Sequence, residues 1–271
     1  MRMLGLPLSL AIAVALTGAY VAPLAAPAAA PAAVRVTAHQ GANHTMRYLL
    51  ALPTGWTKER SWPVLVVIPD AGRAFAADLD SFIAARGGRP YVLVAPEVLT
   101  CGGARSRTPE HYTYSLQEWA GIVKGDDFAF DDAGLGAVLT DVQRVAHGEP
   151  RAFLTGWEAD CHTVWEQALK FPQRWRGVAP VTPNYQRRGL ADADFSADPA
   201  RTTLPIQVLR CGASAGDGAE VVPFADTQSA AALADARAHG FTPAPMRVVP
   251  GAAHGPLPRA VLAWCDSVRS R

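Results

Sequence analysis

Residues 151–165 read RAFLTGWEADCHTVW. A short apolar run of Ala152, Phe153 and Leu154 meets the turn-forming pair Thr155-Gly156, and a segment of helical character follows at once. A strand that breaks sharply into a helix can present a nucleophile on the tip of a strained turn, with the pattern G-x-S-x-G. In the same frame this chain has Gly156-Trp157-Glu158-Ala159-Asp160, so a glutamate stands at the serine position. The stretch predicts the architecture of such a turn without its nucleophile.

The flanking sequence supplies the sheet that this strand would join. Residues 63–68 (PVLVVI) and 91–95 (YVLVA) are continuous apolar runs, as buried central strands require. Residues 46–52, 177–181, 204–209 and 245–249 read as further strands. Helices are expected over 74–86, stopped by Gly87-Gly88, and over 131–147, with Asp131 and Asp132 in its first turn where they suit the dipole. Two more are expected over 224–239 and 255–268. Between them lie a long aromatic loop over 97–130 and a polar excursion over 182–203. Strands alternating with helices imply an α/β fold, a mostly parallel central sheet with helices on both faces.

Composition narrows the function classes. The 271 residues carry 25 Lys and Arg against 24 Asp and Glu, which gives no electrostatic case for nucleic acid or an anionic membrane surface. Arg2, the apolar residues 4–16 and the Ala/Pro repeats up to Ala33 read as a signal peptide and linker, with an uncleaved anchor as the alternative. This predicts a secreted or periplasmic protein with a single domain over 34–271. Export makes disulfides permissible, and Cys101, Cys161, Cys211 and Cys265 allow three pairings or buried free thiols. The absence of CxxC argues against zinc. Glu158, His162 and Glu166 share one helical face, but the metal-free reading, a histidine and a glutamate on an ordinary helix surface, is preferred, and no cofactor is called for. Trp165 and Trp175 are expected in the core, and Trp157 beside the pocket.

Several segments together carry a family resemblance: YLLALPTGW (48–56), PVLVVIPDAG (63–72), Asp131-Asp132, residues 154–165, and PGAAH (250–254). Over roughly Tyr48 to Trp264 the chain resembles the secreted polyhydroxybutyrate depolymerase and feruloyl esterase group of α/β-hydrolases. The resemblance implies the α/β-hydrolase fold and carboxylic-ester hydrolysis. It also implies roles in the chain order nucleophile, acid, base. Glu158 holds the nucleophile position. Asp217, in a Gly-rich loop after a strand, holds the acid position, with Asp226 as second candidate. His254, directly after the last strand, holds the base position. Ala71 and Ala159 hold the oxyanion-hole positions.

The departures from the family pattern concern the chemistry. The elbow of the family resembles T-G-x-S-x-G-G, whereas Glu158, Asp160 and Cys161 replace the serine and both following glycines, which would hinder close approach of helix to strand. The oxyanion loop, typically His-Gly, reads Pro69-Asp70-Ala71-Gly72, and an aspartate there opposes a developing negative charge unless it points away. Gly212-Ala213-Ser214-Ala215-Gly216 fits G-x-S-x-G literally, but no helix opens after it.

Two readings of function follow, with a third behind them. The first is a non-catalytic homologue that keeps a pocket for a small-molecule or polyester-like ligand, or for a protein partner, with Glu158 in a structural or binding role such as an ion pair with a protonated His254. The second is an active carboxylic-ester hydrolase that uses Ser214 or Glu158 as nucleophile. The third is a purely structural envelope protein, which predicts no ligand-sized pocket.

Overall fold

The computed structural model describes residues 34–102, 108–212 and 221–271. The chain divides into two units, Met1–Ala32 and Ala33–Arg271, and the described residues belong to the second.

Eight strands form one sheet in the order β1-β2-β4-β3-β5-β6-β7-β8. They are β1 (Val36–Gln40), β2 (Arg47–Ala51), β3 (Val64–Val67), β4 (Val92–Pro96), β5 (Ala152–Trp157), β6 (Trp175–Val181), β7 (Leu209–Cys211) and β8 (Arg247–Val249). β1 and β2 run antiparallel to their neighbours, and every other pairing is parallel. The helices are α1 (Phe75–Arg86), α2 (Leu116–Ile122), α3 (Asp127–Ala146), α4 (Cys161–Lys170), α5 (Val221–Ala238) and α6 (Pro258–Arg269).

The apolar runs are continuous because both faces of the sheet are covered, and alternate residues serve different layers. Val64, Val66, Val92, Val94, Ala152 and Leu154 pack with residues of α3, α4 and α5, such as Val138, Trp165 and Ala232. Leu65, Val67, Leu93, Ala95 and Phe153 face the opposite way, toward Leu79 and Phe82 of α1 and Val261 and Leu262 of α6. Trp165 and Trp175 are fully buried. Among the described residues no helix is long and apolar enough to cross a membrane.

Several elements differ from expectation, among them β1, a half-exposed edge strand outside the expected set. The helix expected to open at Asp131 opens at Asp127, because the Asp126 side chain caps the Ala129 N–H at 2.7 Å. Asp131 is therefore one turn inside, fully buried, and accepts bonds from the Leu99 and Thr100 N–H groups and the Thr100 hydroxyl. The strand expected over 204–209 joins the sheet only as β7, with Ile206 forming an isolated bridge to Val178. Pro205 has no N–H to donate, though its carbonyl accepts from Val178 N at 2.9 Å. Inside the long loop over 97–130, α2 is opened by a capping box of Ser115 and Glu118.

Candidate functional site

The elbow is built where β5 ends. Glu158–Asp160 forms one tight turn between Trp157 and the first residue of α4. Glu158 has φ +49°, a left-handed conformation that a non-glycine residue adopts at a cost of about 1–2 kcal/mol. The strand-to-helix strain therefore persists at the position where the family pattern holds serine. Asn184 N–H donates to the Glu158 carbonyl at 3.0 Å and holds the turn. Gly156 is required here, since a Cβ would lie 2.8 Å from Val164 Cγ2 on α4.

The replaced glycines do not open the elbow, contrary to the expectation from residues 160 and 161. Cys161 is fully buried, and its thiol donates to the Gly156 carbonyl at 3.1 Å. The side chain fits between strand and helix, so the tight turn is kept.

Glu158 and His254 meet. Glu158 Oε1 lies 2.6 Å from His254 Nε2, with side chains 36% and 24% exposed. The His254 ring stands edge-on to Trp157, with ring centroids 5.1 Å apart. An ionised carboxylate only accepts hydrogen bonds, and toward it Nε2 can act only as donor. In a serine triad the same nitrogen has to be free to take a proton from the nucleophile. Here that nitrogen is engaged by the Glu158 carboxyl group.

Asp217 and Ser214 lie outside the described residues. Asp226 sits on α5 and pairs with Arg210, Nε to Oδ1 at 2.7 Å. Ala159 lies half-buried on the elbow turn, and Ala71 is exposed in the loop after β3. That loop is pinned by Arg73, a buried residue that the sequence did not single out. Its guanidinium donates to the Tyr112 hydroxyl at 2.6 Å, the Cys101 carbonyl at 2.8 Å and the Ala71 carbonyl at 3.2 Å.

A set of acids lies beneath the elbow. Asp70, Asp78 and Asp160 line a cavity of about 10 Å³, together with Trp157 and Pro256. This is about the least space that admits one water molecule. Asp160 is 1% exposed, and neither of its carboxyl oxygens has a hydrogen-bond partner among the described residues. Asp70 Oδ1 and Trp157 Nε1 are likewise buried and unpartnered there. Burial holds Asp160 well above the usual carboxylate range, with the charges of Asp70, Asp78 and Glu158 acting in the same sense. Asp78 is pushed up to about 6, mainly by burial and further by the Asp70 charge, although the Asp70 N–H donates to its Oδ2 at 2.8 Å. Asp78 carries no signal in the sequence, since an acid in the first turn of a helix is ordinary.

His162 and Glu166 do not lie on an ordinary helix surface, contrary to expectation. Both are buried, because α4 is enclosed on all sides. Burial pulls His162 down to about 4, helped by the Arg188 charge. Glu166 is pushed up by burial and by Asp132, against the opposing effect of Lys170, whose Nζ lies 2.8 Å from Glu166 and 2.5 Å from Asp132. Among the described residues, no group of three or more His, Cys, Asp or Glu side chains is placed to hold a metal ion. All four cysteines are free and buried, so the permitted disulfides do not form.

No protein-family model and no curated protein matches the chain. Solved structures do match. The poly(3-hydroxybutyrate) depolymerase LpqC from Bordetella parapertussis aligns with a TM-score of 0.58 at 20% identity, covering 88% of this chain and 90% of that one. Poly(aspartic acid) hydrolase-1 from Sphingomonas sp. KT-1 aligns at 0.57 and 14% identity, over 88% and 98% of the two chains. An S-formylglutathione hydrolase from Agrobacterium tumefaciens aligns at 0.54 and 13% identity, over 87% and 94%. Likeness at these identities is likeness of fold. The chain has the α/β-hydrolase fold, which it shares with esterases and depolymerases.

Proposed function

We propose that this chain is an exported α/β-hydrolase homologue that no longer hydrolyses esters by a serine mechanism and serves instead to bind a small-molecule or polyester-like ligand, or a protein partner. The contact between Glu158 Oε1 and His254 Nε2 at 2.6 Å carries the reading. It puts a carboxylate where the nucleophile would stand and occupies the nitrogen that a general base needs. Asp70 adds to the case, since an acid in the loop beside the elbow opposes negative charge developing there. The support for export is Arg2, the apolar residues 4–16 and the Ala/Pro run after them.

A fluorophosphonate probe tests the serine part of this reading. The expected result is no labelling of the native protein. Covalent labelling of Ser214, lost in Ser214→Ala, would overturn it in favour of a relocated nucleophile. Export is tested by sequencing the N-terminus of the protein recovered outside the cytoplasm. A first residue upstream of the apolar run would contradict cleavage.

A further inference from the structure

The water-sized cavity under the elbow holds no ligand of ordinary size, but a second cavity does. A groove of about 410 Å³ lies between α1 and the start of α6, against the end of β8. Its volume falls in the range of small-molecule sites, about 300–1,000 Å³. Ala84 and Ala85 of α1 form one wall, and Leu257, Pro258 and Ala260 form the other. The lining contains one charge, that of Arg259, and no acid.

Arg259 is exposed and makes no ion pair among the described residues. Leu257 stands at φ +49°, a strained conformation for a bulky residue, and its position opens α6 beside the groove. Strain of this kind is concentrated at ligand clamps and functional loops. Ala252, on the far side of His254 in the same loop, also lines the groove.

We infer that this groove binds a small amphipathic carboxylate, with its apolar chain between α1 and the start of α6 and its carboxylate on the Arg259 guanidinium. An apolar trough with a lone cation complements an aliphatic chain that ends in an anion. The planar guanidinium matches a carboxylate through paired N–H donors. The inference deepens the ligand-binding part of the proposed function and rests on it, but it does not depend on whether the elbow hydrolyses esters.

Isothermal titration calorimetry with sodium octanoate, 1-octanol and octyltrimethylammonium bromide tests it. Octanoate should bind saturably at one site, more tightly than octanol, and the cation should not bind. Arg259→Gln should weaken octanoate about fivefold, the scale of an exposed ion pair, and leave octanol unchanged. Ala84→Trp, at an exposed position on α1, should block binding by filling the groove. Absence of saturable octanoate binding, equal binding of all three probes, or unchanged binding in Ala84→Trp would each overturn the inference. Ester turnover is read separately, so failure of the groove site and failure of the non-catalytic reading are distinguishable.

Discussion

Glu158 Oε1 and His254 Nε2 are 2.6 Å apart, although 96 residues separate them in the chain. The α/β-hydrolase fold brings the elbow after β5 and the loop after β8 to one place, and here that convergence joins a carboxylate to an imidazole.

Restoring the serine alone should restore little. Glu158→Ser frees His254 Nε2, but Asp70 and Asp160 still lie beneath the elbow. Loss of a single oxyanion-hole donor costs roughly 10²–10³ in turnover, and an acid at position 70 acts against the same charge, while the Asp160 side chain fills space that the family pattern leaves to glycine. Glu158→Ser is therefore expected to hydrolyse p-nitrophenyl acetate about a hundredfold more slowly than Glu158→Ser combined with Pro69→His, Asp70→Gly and Asp160→Gly. Equal rates in the two variants would show that the buried acids are irrelevant to the site.

Asp160 sets a pH dependence of stability. Its folded-state value is raised above the ordinary 3.8, so its stabilising contribution is complete below that value and is lost as pH rises above it. Asp78, raised to about 6, and Asp131, raised to about 7, act in the same direction. The protein should melt at a higher temperature at pH 5 than at pH 8. Asp160→Asn, a neutral isostere, should show a flatter profile and gain on the wild type as pH rises. Thermal melts that run parallel for the two proteins would contradict the assignment of a buried, protonated Asp160.

Asp131 ties α3 to the segment after β4. Asp131→Ala should destabilise the fold by about 3 kcal/mol or more, because it leaves the buried Leu99 and Thr100 N–H groups without partners. Urea unfolding measures this directly. A loss below about 1 kcal/mol, the net value of one hydrogen bond, would mean that water takes over the acceptor role.

Lys170→Met should be costly as well. It leaves Glu166, which is fully buried, and Asp132 without their shared cation. Breaking a buried pair from one side typically costs about 3–5 kcal/mol. Adding Glu166→Gln should recover part of the loss, since the group that burial penalises is then neutral. A double variant no more stable than Lys170→Met would argue against that origin.

Much of the fold was legible because the central strands are buried on both faces. The runs in β3 and β4 have no polar residue to confuse the reading, and the Gly-rich loop before α6 could be placed from the strand ahead of it. β1 was missed because an edge strand half open to water carries polar residues and a weak apolar signal. The start of α3 was misplaced because Asp126 is a better cap than the acids after it are first-turn residues. At the site, the positions of Glu158 and His254 were legible from the elbow frame and the last loop. The burial of His162, Glu166 and Asp160 was not, because a helix enclosed on every side keeps polar residues that look like a surface pattern in sequence. Arg73 gave no signal, since its role depends on carbonyls and a tyrosine brought in by other loops.

Hydrolysis of short-chain p-nitrophenyl esters by the purified protein, beside Glu158→Gln, Ser214→Ala and His254→Ala, tests most directly whether the Glu158–His254 pair has replaced catalysis. The predicted result is no turnover above buffer in any of the four. Turnover in the wild type that is abolished by His254→Ala, and by either Glu158→Gln or Ser214→Ala, would contradict it and make the chain an ester hydrolase with an unusual nucleophile.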